Sequence, residues 1–183
     1  MLVCPIRGSF SHRIADEKLM MENSKVKAIL EWKPPTKVLE FWSFLRLVNY
    51  YHRFIKGYSA KAAPLTNFLK KNWSWHWSED CQHAFEELKK VIPKEPVLVL
   101  PDQTKPFEVQ TNASDFAIGG VLMQEDHPIV FESWKLNDTE CHYTVQEKEM
   151  TAIIHCLRVW RYYLLSLHFV ILTDNIIISY FQT

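Results

Sequence analysis

The sequence predicts an α/β chain in which a helical segment precedes a small sheet and one long helix. Three observations predict it. Between residues 36 and 55 apolar residues recur at helical spacing. After Pro106 the period drops to two. The charge changes sign where the pattern changes: residues 23–92 carry 12 Lys/Arg and 6 Asp/Glu, and residues 93–183 carry 6 and 12, so a net charge of zero hides a basic half and an acidic half. Residues 1–22 hold three of each sign and show short apolar patches without a period.

The helical segment is read in order. Asn23 or Ser24 caps a short helix that runs to Trp32, and Pro34-Pro35 stops it. Thr36 caps the next helix, with Val38, Phe41, Leu45 and Val48 on one face, widened by Trp42, Phe44 and Tyr51, and Gly57 at its C-terminal cap. A third helix spans residues 60–71, with Pro64 limiting its first turn. Trp73, Trp75 and Trp77 then alternate with polar residues in an extended stretch. Ser78 opens a fourth helix with acids in its first turn and Lys89-Lys90 in its last, as the helix dipole favours. Four prolines between residues 93 and 106 mark a linker or strand.

Three strands follow: one from Phe107, one in FAIGGVLMQ and one in HPIVFESWKL. Their short links predict an antiparallel meander. Thr144 opens a long helix through residue 165. Residues 168–173 form an apolar run fit for a buried strand, ended by Asp174.

Composition excludes several classes. No apolar run reaches the ~18 residues of a membrane span. The first residues lack the apolar stretch and cleavage site of a secretory signal, so an intracellular chain with free thiols at Cys4, Cys81, Cys141 and Cys156 is expected. The Gly119-Gly120 pair is no phosphate-loop fingerprint. Cys81, His83, Cys141 and His142 match no zinc spacing, and His155 and Cys156 read as packing residues.

Two glutamates near the start of the long helix divide by spacing. Thr144 and Glu147 form a capping box. Glu149 lies about 200° further round the helix, above Ile153, Cys156 and Trp160, an apolar stripe that faces the sheet. A carboxylate there is costly unless paired or metal-bound, so it is either a functional acid or a partly exposed acid favoured by the helix dipole. Asp174 ends its strand either as an N-cap or as an acid at the carboxyl end of a central strand. Asn112 ends the first strand in the same way, and the three are expected to converge at one end of the sheet.

The ordered segments FLRLVNYYHRFIKGYSAKAAPLTNFLKK, WSEDCQHAFEELKK, PVLVLPDQTKPFEVQTNASDFAIGGVLMQ, YTVQEKEMTAIIHCLRVWRYYLL and FVILTDN resemble the Pol polyprotein of gypsy-class LTR retrotransposons. The resemblance covers residue 9 to the end. It implies the end of a reverse transcriptase palm in residues 1–22, helical thumb and connection-like elements in 23–92, and an RNase H-like mixed sheet in 93–183: three antiparallel strands, a helix and a parallel strand, truncated at the C-terminus. It implies no polymerase site in this chain. It further implies a ribonuclease H that cleaves the RNA of an RNA–DNA hybrid with Mg²⁺ held by four carboxylates. The first falls on Asn112, where the family motif T-D-A-S-D reads TNASD. The second falls on Glu149 and the third on Asp174, which stand as the catalytic and metal positions; the fourth falls beyond Thr183. Asp115 and Glu147 are poor substitutes for the missing charge. Arg46 stands for the glycine of F-L-G-L, and Trp42 where a basic residue is common. An exposed sheet edge is expected.

Three functions therefore compete. One is a metal-dependent ribonuclease H, expected here to have little or no activity. Another is a module that grips an RNA–DNA hybrid or another nucleic acid through Lys25, Lys27, Lys33, Lys37, Arg53, Lys56 and Lys61, with no membrane or small-molecule partner; for Tyr50 and Tyr51 core packing is the simpler role. The last is a transposon remnant without function.

Overall fold

The computed structural model describes residues 12–15, 18–66, 77–94, 98–165 and 168–173. Near the N-terminus, β1 (His12–Ala15) and β2 (Lys18–Met21) pair as an antiparallel hairpin. β3 (Leu98–Val99), in the proline-punctuated stretch, joins the free side of β2. Burial along β2 does not alternate, which is why no period of two marks it in the sequence.

The helical segment follows. α1 (Asn23–Leu30) starts from Glu22 rather than from Asn23 or Ser24, and the Ser24 hydroxyl donates to the Glu22 carboxylate. α2 (Val38–Tyr50) starts from Lys37; Thr36, one residue earlier, donates its N–H and hydroxyl to Glu40 Oε2 at 2.9 and 3.1 Å. Its core face is Phe41, Phe44, Leu45 and Val48, whereas Val38 and Trp42 are about half exposed. The helix ends earlier than the sequence predicts. A 3₁₀ turn, His52–Phe54, carries the apolar pattern onward, so Phe54 and Ile55 are buried outside the helix. Gly57 at φ +65° then reverses the chain, a conformation that favours glycine, into α3 (Tyr58–Thr66). That earlier start puts Pro64 in the last turn of α3, not its first. The third helix beyond Thr66, with Trp73 and Trp75, falls outside the described residues. α4 (Glu79–Val91) is capped as expected: Ser78 Oγ accepts from the Cys81 N–H at 3.3 Å.

These helices bury an aromatic core. Phe44 lies 4.6 Å from Phe85 between ring centroids, and Trp32 and Trp77 meet Phe44 and Phe85 edge-on at 5.9 Å each. Tyr51 is fully buried beside Tyr50, so packing accounts for both tyrosines.

The second sheet has the order β6-β5-β4-β7. β4 (Phe107–Ala113), β5 (Ala117–Gln124) and β6 (His127–Lys135) form the antiparallel meander, and β7 (Phe169–Leu172) lies parallel to β4. The β5–β6 turn is made by Glu125 and Asp126, both at positive φ, the twist that suits a two-residue hairpin. α5 (Val145–Val159) crosses one face, and α6 (Arg161–Leu164) follows after Trp160. α5 comes close because position 120 has no side chain: a Cβ there would sit 2.5 Å from Cys156 Sγ and 3.2 Å from the Trp160 ring. The other face receives the helical segment. Phe131 and Val121 join the aromatic core, and the Ser59 N–H and hydroxyl donate to Ser133 Oγ and O at 2.7 and 2.8 Å. Among the described residues, no helix is long and apolar enough to cross a membrane.

Candidate functional site

The carboxyl ends of β4 and β7 point the same way, because the two strands are parallel with Gln110 opposite Leu172. α5 begins above this end. Its start is fixed by the capping box: Thr144 Oγ1 accepts from the Glu147 N–H at 3.3 Å, and Glu147 Oε2 accepts from the Thr144 N–H at 2.7 Å. That N–H, and then the Thr144 hydroxyl, which donates to the same Oε2 at 2.9 Å, hold the Glu147 carboxyl below the usual carboxylate range. Glu147 is thus spent on the cap and points away from the sheet.

Glu149 points inward, as its helical stripe predicts. Ile153, Cys156 and Trp160 below it are buried, and Glu149 itself is half-buried. Its Oε1 accepts from the Ala113 N–H at 3.1 Å. That N–H belongs to the row that β4 turns toward β7, since the Phe107 N–H, six residues earlier, donates to His168 O. Paired β7 stops at Leu172, and the Glu149 carboxylate takes up the next donor at the strand end.

Asn112 is the neighbour of that contact, but strand alternation sends its side chain to the opposite face. It is exposed there, in line with Gln110 and across from Gly119. This face opens onto a cleft of about 530 Å³ between the sheet and the corner that precedes α3; Lys56, Gly57, Gln110, Asn112, Gly119 and Leu172 are among its walls. The structure therefore brings Asn112 and Glu149 to one end of the sheet on either side of β4. Asp174 falls outside the described residues.

Asp115 sits past the strand end, and its Oδ1 accepts from Lys148 Nζ at 2.9 Å. Lys148 is one of three polar residues buried among those described, with Thr111 and Gln124. Sequence reading passed over it. The available signal was a lysine near a helix N-terminus, where the dipole disfavours a cation.

Of the seven basic residues expected to grip nucleic acid, all of them described, Lys56 lines the cleft with Asn112. Lys27 pairs with Glu31 and Lys61 with Glu87, each at 3.7 Å. Lys33, Lys37 and Arg53 are exposed, and Lys25 is half-exposed. Cys156 lies buried under the sheet, and burial, helped by Glu132, pushes its thiol up to about 12, which suits a packing residue.

Among the described residues no group of three or more His, Cys, Asp or Glu could hold a metal. At the sheet end they offer one carboxylate, already accepting a backbone N–H, and one neutral amide. Mg²⁺ sheds water reluctantly and relies on carboxylates, and the third position, Asp174, lies outside the described residues.

A family model for the RNase H-like domain found in reverse transcriptase matches residues 77–171. The chain is 41% identical over 165 residues to the retrovirus-related Pol polyprotein from transposon 297 of Drosophila melanogaster, covering 90% of this chain and 16% of that one. It is 36% identical over 171 residues to the transposon Tf2-3 polyprotein of Schizosaccharomyces pombe, covering 90% and 13%. It thus spans about a sixth or less of the curated relatives' length. In fold it is similar to the foamy viral protease-reverse transcriptase in complex with an RNA/DNA hybrid, at a TM-score of 0.81 and 20% identity, over 90% of this chain and 23% of that one. The same enzyme in complex with double-stranded DNA gives 0.80 and 18%, over 93% and 38%. With the meander, the parallel fourth strand and the crossing helix in place, the chain belongs to the family of RNase H-like domains found in reverse transcriptases.

Proposed function

We propose that this chain is a Pol-derived module that grips an RNA–DNA hybrid or a related duplex and cleaves it weakly or not at all. In this reading residues 23–92 are the basic grip and residues 93–183 the RNase H-like unit. The carrying observation is Asn112. It occupies the end of the strand beside which Glu149 stands, where a charged donor is needed and a neutral amide is found. Glu149 and Asp174 remain as the acids toward a divalent ion. The substitute nearest in sequence, Asp115, is engaged by Lys148.

Two further observations support the nucleic-acid partner. Solved reverse transcriptases of this fold hold double-stranded DNA or an RNA/DNA hybrid. Residues 23–92 carry the basic half of the charge, and Lys56 of that segment lines the cleft at the sheet end.

Hybrid cleavage with Mg²⁺ or Mn²⁺ tests the chemistry. The unaltered chain should show no measurable cleavage or a trace, and Asn112→Asp should raise a trace by about ten- to a hundredfold, the scale on which even an outer-shell partner changes metal-site activity. Robust cleavage by the unaltered chain overturns the reading. Hybrid affinity should fall steeply with salt, and Lys56→Glu should lower the salt slope by about one if that lysine meets a phosphate. Salt-insensitive binding removes the partner.

A further inference from the structure

We propose that Lys148 is a positioning residue, a built-in clamp that holds Glu149 against the end of β4. Its placement is costly in two ways. A lysine four residues past the N-cap opposes the positive end of the helix dipole, and its side chain is only 7% exposed. A buried ammonium needs a counter-charge, and Asp115 gives it one at 2.9 Å across the β4–β5 turn.

That turn is itself closed. Ser114 Oγ donates to Ala117 O at 2.8 Å and accepts from the Ala117 N–H at 3.1 Å, while the Ser114 N–H donates to Ala117 O at 2.9 Å. Asp115 stands at its tip. Two successive helix residues thus hold two positions of one short segment: Glu149 takes the Ala113 N–H, and Lys148 takes the Asp115 carboxylate. The second contact fixes the turn to the helix, so the first is presented in one geometry. Asp115 is 81% exposed, so the clamp acts by direction rather than as a dry ion pair. It also keeps Asp115 turned to an internal cation and away from any ion at the sheet end.

The inference rests on the reading of Glu149 above for its purpose, but its test needs neither metal nor nucleic acid. The amide of Ala113 is followed by NMR in the full chain. Glu149→Gln sets the signal expected when the carboxylate bond is weakened. Lys148→Met should move the Ala113 amide in the same direction and raise its hydrogen exchange by about tenfold, as local opening does, with the Leu122 amide in β5 unmoved. Lys148→Arg should restore most of the signal. Asp115→Asn, at an exposed site, should reproduce the Met variant even if that variant unfolds. An unchanged Ala113 amide in Asp115→Asn, or no rescue by arginine where Lys148→Met is folded, overturns the clamp. Loss of hybrid cleavage or binding alone would speak only to the function proposed above.

Discussion

The two ends of α5 meet the same sheet by different means. Toward its C-terminus the contact is chiefly shape, with one polar contact, His155 Nε2 to Glu132 Oε1 at 3.3 Å. Cys156 and Trp160 press onto Gly120, and Phe107, Val109, Leu122 and Leu164 close the space around them. Toward its N-terminus the contacts are polar and directed: the capping box, Glu149 on the Ala113 N–H, and Lys148 on Asp115. The difference teaches where each job is done. The packed end fixes the height and angle of the helix. The polar end uses that fixed frame to hold a carboxylate at a strand terminus, where an apolar contact could not aim it.

If shape governs the C-terminal end, the largest effect should come from emptying it. Trp160→Ala should cost about 3–5 kcal/mol, which for a chain of this size lowers Tm by roughly 6–20 °C. Val145→Ala, on an exposed residue in the first turn, should stay within about 0.5 kcal/mol. Thermal unfolding compares the two. Equal costs would dissolve the contrast between the ends. Because Phe131 and Val121 belong to both the sheet and the aromatic core, the Trp160 variant should still unfold in one transition.

Filling the same place sharpens the comparison. Gly120→Ala puts a methyl 2.5 Å from Cys156 Sγ and 3.1 Å from Gln110 O, so something must shift. Overpacking of this kind costs about 1–3 kcal/mol. Adding Cys156→Ala should recover part of the loss and not all, since the Gln110 carbonyl and the Trp160 ring remain. The thiol supplies a second measure. With its pKa pushed up to about 12 under the sheet, Cys156 should alkylate slowly in the native chain, and faster in Gly120→Ala. Unchanged alkylation would mean that the helix had not moved.

The same contrast explains what the sequence could reveal. The packed end was legible because it is local: the spacing of Glu149, Ile153, Cys156 and Trp160 names the buried stripe, and alternation in β4 names the strand beneath it. The Thr144–Glu147 box and the Ser78 cap were legible for the same reason. Lys148 was not, because its partner lies in a turn far from it in sequence and only the fold brings them together. The β1–β2–β3 sheet was hidden likewise, by short strands, by the lack of alternation in β2 and by a partner strand far downstream. In α2 the apolar period marks a face wider than the one that is buried. Trp42 and Val38 are apolar and exposed, and burial is settled by what lies opposite. For the candidate site, spacing chose Glu149. That Asn112 looks out on the other side of β4, toward Lys56, follows from which face each helix covers.

A smaller effect than either change at Gly120 or Trp160 lies at the cap of the polar end, and pH separates it from packing. Thr144→Ala removes the hydroxyl that accepts from the Glu147 N–H and should cost about 1 kcal/mol at neutral pH, as loss of a threonine cap does. The charge on Glu147 adds a dependence that no packing variant shares. Its carboxyl is lowered chiefly by the Thr144 N–H and then by the Thr144 hydroxyl, so the folded state releases this proton more readily than the unfolded chain. The contribution is therefore complete above the ordinary glutamate range and fades as pH falls through the lowered folded value. Glu147→Gln should flatten that acid-side decline relative to the parent chain, whereas Gly120→Ala should shift the whole pH–stability curve downward and leave its slope alone. Denaturation midpoints between pH 3 and 7 check both, because a glutamine variant that kept the parental slope would remove Glu147 as the titrating part of the cap.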